Sequence, residues 1–168
     1  MAKFNDLCAV YSKAQNEFRQ FRDDCQDFVV DLWNNMITYL NVPGSQLSIY
    51  TINEEGEAIV SKPPIWQALT LRSDSYWSVG FGITVYEAPN MYPQETIIIS
   101  LLIKKDSAGN YFVKLSEFNE EFKIDRTNVN DFDKFYNFVF EKIINSYQSG
   151  LQKFIDQESS IRKVGFQY

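Results

Sequence analysis

The chain contains no histidine among its 168 residues, and that absence removes more chemistry than any other feature of the sequence. Ser-His-Asp and Cys-His catalysis need an imidazole as base, and so do two-histidine phosphoesterases. Histidine-ligated metal sites are excluded with them. Cysteine is scarce: Cys8 and Cys25 are the only two. On a single helix they would lie about 25 Å apart, beyond disulfide reach and unable to share a zinc ion. Two free, buried thiols suit a reducing compartment. Neither phosphate-binding glycine signature is present; Gly80-Phe81-Gly82 falls inside a strand pattern and carries no such meaning. No apolar run approaches the roughly 18 residues of a membrane span. The first six residues lack the apolar core of an export signal, so a cytoplasmic location is expected. Basic residues are outnumbered 16 to 22, for a net charge of −6, which argues against a phosphate-backbone binder. The expectation is therefore no cofactor, no metal, no nucleic acid and no membrane. The partner expected is a protein, or a second copy of the chain.

Proline and glycine are also missing from residues 4–40, and what fills that stretch organises the rest. Phe4, Leu7, Tyr11, Ala14, Phe18, Phe21, Cys25, Phe28 and Leu32 recur at alternating steps of three and four. This is a heptad a/d pattern, and it predicts one helix over residues 3–41. At 1.5 Å per residue it would be roughly 50 Å long, against a radius of gyration of about 15 Å for a domain of this size. Before Cys25 the apolar stripe is narrow, as in a helix–helix seam. After it Phe28, Val29, Leu32, Trp33, Met36, Ile37 and Leu40 widen it, as for a helix lying on a sheet. The second half should dock on the body. The first half, through Phe4, Leu7, Tyr11, Phe18 and Phe21, should meet another helix, of this chain or of a second copy. Glu17 and Arg22 have the g-to-e spacing of an ion pair between parallel helices. The alternative is that the whole helix folds onto its own domain.

Asn41-Val42-Pro43-Gly44 ends the helix. Alternating strands follow over residues 46–52 and 57–61, with a short one expected at 66–72. In the pattern of residues 76–87, Trp77, Val79, Phe81, Ile83 and Val85 face one side, and Tyr76, Ser78, Gly80, Gly82, Thr84 and Tyr86 the other. Residues 95–105 are apolar on both faces, as in a central strand. Strands at 111–116 and 119–125 complete a sheet spanning 46–125. Asn130 is the expected N-cap of a second helix, 131–158, interrupted by Gly150; a tail, 159–168, follows. The fold class is α+β: one domain over residues 1–168, with an antiparallel sheet of five to six strands flanked by two long helices.

Three functional readings follow. The preferred one is a non-enzymatic cytosolic interaction module that self-associates or binds a protein partner through its helices. A second is a binder of a small apolar or aromatic ligand between sheet and helices. Its site would be the strip of Tyr76, Ser78, Gly80, Gly82, Thr84 and Tyr86, where interior glycines often mark close approach of a backbone or ligand. The competing account of that strip, which we favour, is a helix packed closely on it. A third is a carboxylate-dependent metal enzyme using Asp24, Asp27 and Asp31, three and four apart on one helix face.

Overall fold

A computed structural model describes residues 2–88, 91, 94–150 and 166–167. Helix α1 runs Ala2–Leu40, uninterrupted because nothing in it breaks the i to i−4 ladder. Asn41 then takes a left-handed conformation (φ 51°) and donates its backbone N–H to the Ile37 carbonyl, and Pro43 prevents continuation. After a single 3-10 turn come β1 (Leu47–Ile52) and β2 (Ala58–Ser61), joined by a hairpin in which Gly56 supplies a positive φ. A four-residue helix α2 (Ile65–Ala68) and a two-residue strand β3 (Thr70–Leu71) stand where a single strand over 66–72 was expected. The Pro63-Pro64 pair cannot donate to a sheet, and the chain turns there instead of pairing.

The long strands β4 (Trp77–Tyr86) and β5 (Gln94–Lys105) pair over ten positions, from Trp77 opposite Ile103 to Tyr86 opposite Gln94. Strand β6 (Tyr111–Leu115) follows a turn in which Asp106 accepts the backbone N–H groups of Ala108 and Asn110. Strand β7 (Phe122–Ile124) lies at the edge. The sheet order is β2-β1-β4-β5-β6-β7, antiparallel throughout. Beside it β3 adds to β4 in line with β1, and β8 (Phe166–Gln167) adds to β5 in line with β6. Helix α3 (Val129–Gln148) starts two residues earlier than expected. Its cap is Asn128, whose side chain accepts the Asn130 backbone N–H, and not Asn130 itself. Residues 151–165, on which the expected end of this helix and most of the tail fall, lie outside the described residues.

Both long helices cover one face of the sheet. Cys25, Phe28, Val29, Leu32 and Met36 of α1, with Phe132, Phe135, Tyr136 and Val139 of α3, pack against Trp77, Val79, Phe81 and Ile83 of β4 and Ile97, Ile99, Leu101 and Ile103 of β5, together with Val113, Leu115 and Ile124. Val85, on the same face near the end of β4, is exposed. A fully buried phenylalanine such as Phe28 or Phe81 contributes about 1.5–3 kcal/mol. The helices are tied by the Tyr136 hydroxyl, which donates to the Leu32 carbonyl at 2.5 Å, and by Tyr39 donating to Asn137. Asp24 pairs with Lys105 of β5, and Asp31 with Arg126 of the β7–α3 turn, each at 2.5 Å. Fold and register are therefore those of an α+β domain with one helical layer.

Candidate interaction surface

Among the described residues, the body of the domain stops before α1 does. Helix and sheet first meet where Phe18 and Phe21 approach the Trp77 ring, with centroids 6.3 and 6.4 Å apart, and one turn later Cys25 is fully enclosed. N-terminal to this junction the helix continues for about 24 Å. On this arm Phe4, Leu7, Val10 and Tyr11 are 71, 70, 66 and 62 % exposed. An apolar line of this kind, left in water on a helix, is a surface of the sort that interfaces cover. Phe4, Leu7 and Tyr11 were expected there. Phe18 is 46 % exposed at the junction, and Phe21 is half-buried on the body. Val10 belongs to the same patch; it sits at the g position beside the seam, so an a/d count passes over it. Cys8 is likewise on the arm and exposed, against the expectation of two buried thiols. Cys25 alone is buried, and that burial pushes its thiol up to about 11.

The strip of Tyr76, Ser78, Gly80, Gly82, Thr84 and Tyr86 lies on the opposite face from both long helices, so no helix among the described residues packs on it. Side chains of the adjacent strand fill it instead. A Cβ on Gly80 would stand 2.7 Å from Ile52 Cδ1, and one on Gly82 would stand 2.5 Å from Tyr50 Cε2. Ser78 donates its hydroxyl to the Ile52 carbonyl at 3.0 Å, and the Thr84 and Thr96 hydroxyls meet at 3.0 Å. Tyr76 donates to Glu121, its ring flanked by the ammonium groups of Lys104 and Lys114. The Glu121 bond, reinforced by burial, raises the phenol to about 12. The glycines make room for Tyr50 and Ile52. Between helices and sheet, the crevice around Met36, Ile83, Ile99 and Val139 holds about 10 Å³, at the lower limit for one water.

Asp24, Asp27 and Asp31 do not converge on a common point. Asp24 accepts from Lys105 and from Gln20, and the Lys105 hydrogen bond holds its carboxyl below the usual range. Asp31 accepts from Arg126, and Asp27 faces solvent. Among the described residues no group of three His, Cys, Asp or Glu side chains is placed to hold a metal ion. No helix among them is long and apolar enough to cross a membrane. Compared with known proteins, the chain matches no family model, no curated protein and no solved structure.

Proposed function

We propose that this chain is a non-enzymatic protein-interaction module of the cytosol, which self-associates or binds a protein partner through its long helices, with residues 2–16 of α1 as the contact element. One observation carries the reading: Phe4, Leu7, Val10 and Tyr11 stand in water on a helix whose other half is locked into the core. Selection for stability alone gives no reason to extend an apolar stripe four turns past the body. The cytosolic setting rests on the thiols, since an exposed unpaired cysteine such as Cys8 suits a reducing environment.

The test is amide hydrogen exchange on dilute, monomeric protein. Residues 2–16 should exchange orders of magnitude faster than residues 28–36, because an unpartnered helix of this length is only marginally stable in water. Leu7→Glu combined with Tyr11→Glu should leave the thermal midpoint within about 2 °C of wild type, as expected for exposed positions. Strong protection of the arm in a verified monomer would mean that it folds back on its own body, and the reading would fall.

A further inference from the structure

The apolar line of the arm is the same line that the body covers further along. Phe4, Leu7, Tyr11 and Ala14 continue into Phe18, Phe21, Cys25 and Phe28. A straight helix drifts only about 20° per heptad against this repeat. From Phe18 onward the domain therefore overhangs the side to which the arm presents its apolar residues. This restricts what can lie along the arm. A second copy in parallel would need to place its residues 18–40 where the first copy's sheet already stands. A helix entering from the opposite direction meets no such obstacle among the described residues, provided it ends before Phe18.

We infer that the occupant is a second copy of this chain, its arm laid antiparallel on the first about a two-fold axis near Ala9. The inference rests on the reading of the arm as a contact element and names its partner. With the axis at Ala9, Ala2 of one copy lies opposite Asn16 of the other, so each arm ends two residues, about 3 Å, short of the Phe18–Trp77 junction. The a/d layers then place Phe4 against Ala14 and Leu7 against Tyr11, each twice, a large side chain facing a small one at both outer layers. The flanking g positions bring Lys3 of each copy beside Glu17 of the other, with Val10 facing Val10 between them. Glu17 is free to make that contact: its only ion pair among the described residues is an exposed one with Lys13 at 4.0 Å. The g-to-e pairing of Glu17 with Arg22 belongs to the parallel arrangement, which the body blocks; Arg22 bonds to Asp23 on its own helix. The exposed portions of Phe4, Leu7, Val10 and Tyr11 amount to about 400 Å² per copy, or about 800 Å² for the pair, the scale of a weak, reversible association. The chain is thus self-complementary in shape, layer size and charge.

Sedimentation equilibrium from 1 to 300 µM, with charge-swapped variants, tests this assignment. Wild type should pass from monomer to dimer over that range. Lys3→Glu and Glu17→Lys each place like charges at both flanks, and each should weaken the dimer about five- to tenfold. The double variant should recover wild-type affinity. An equimolar mixture of the two single variants should form a heterodimer in preference to either homodimer, because both of its flanks are then attractive; a parallel pair predicts neither recovery nor this preference. A dimer whose affinity the double variant fails to restore would overturn the antiparallel assignment. A protein monomeric at 300 µM would overturn the second copy as occupant. In that case a freely exchanging arm would leave the contact-element reading standing, and a protected arm would remove both.

Discussion

Gly80 and Gly82 face the same side of β4 two residues apart, yet alanine should be tolerated at only one of them. At Gly80 the new methyl would lie 2.7 Å from Ile52 Cδ1, 3.0 Å from Ile52 Cγ1 and 3.1 Å from Tyr50 Cβ. Ile52 is 2 % exposed, and Tyr50 Cβ moves only with the backbone. Nothing there can yield cheaply, so the overpacking cost is about 1–3 kcal/mol. Replacing a strand glycine restricts the unfolded chain and returns about 0.4–1 kcal/mol. The net expectation for Gly80→Ala is a loss of about 1–2 kcal/mol, or roughly 3–6 °C in Tm for a chain of this length. At Gly82 the closest atoms are the ring edge of half-buried Tyr50 at 2.5 Å and the Ser48 hydroxyl at 2.9 Å. Both are side-chain ends that can rotate away, so Gly82→Ala should fall within about 0.5 kcal/mol of wild type once the same entropic gain is counted. Urea melts read by tryptophan fluorescence would rank the two. If both variants melt like wild type, or if Gly82→Ala is the more damaging, the account of β1 filling the strip is wrong.

Two further outcomes follow from burial. A disulfide exchange reagent should titrate one thiol rapidly in the native protein, Cys8, and a second only after denaturation, because Cys25 is enclosed and its thiol is pushed up to about 11; two fast thiols would contradict the docking of α1. Tyr136 is buried and its phenol is held well above 10, so the folded chain keeps a proton that the unfolded chain releases above about pH 10. Its contribution is intact below that pH and is lost above it at up to about 1.4 kcal/mol per pH unit. Tyr136→Phe should cost about 1 kcal/mol at pH 7 through the missing bond to Leu32, and should flatten the alkaline decline; an unchanged slope above pH 10 would show that the phenol is not enclosed.

Local chemistry made the long elements legible, and non-local partners hid the rest. An absence of proline and glycine together with a heptad stripe is sufficient for α1, and its widening after Cys25 marks where the body begins. The alternation of Trp77 to Val85 is sufficient for β4. The glycine strip was expected to meet a helix or a ligand, and side chains of β1 meet it instead, because the sequence cannot say what approaches. That depends on β1 pairing with β4 so that Tyr50 stands opposite Gly80 and Ser48 opposite Gly82, a register set by thirty intervening residues. The acid triple failed for the same reason: Lys105 and Arg126 are 81 and 95 positions from their partners. The cap of α3 was a choice between two asparagines two residues apart. Asn128 takes it because the Asp125 carboxylate tightens the preceding turn, binding the Thr127 backbone and hydroxyl, while Asp131 reaches back to the Asp125 backbone N–H. Strand β8 carries no periodic signal at all, since two residues are too few for one.

The division of α1 into a docked half and a projecting half also decides how strongly the arm can hold a partner. A free 15-residue helix would be marginal, but this one grows from a turn already fixed by Phe21, Cys25 and Phe28, so the costly nucleus is present and only propagation remains. Order therefore declines from Phe18 toward Ala2. In a parallel pair the two frayed tips would face each other and the two firm roots would collide with the bodies. In the antiparallel pair each tip, carrying Phe4, lies against the root of the other arm at Ala14, where the helix is held most firmly. Each copy thus completes the weakest turn of its partner with its own most rigid one. With about 800 Å² in contact and the ordering of two tips to offset, the association belongs in the micromolar range. Helix propagation and pairing are then coupled, and the arrival of the second copy stabilises the helical arm against fraying.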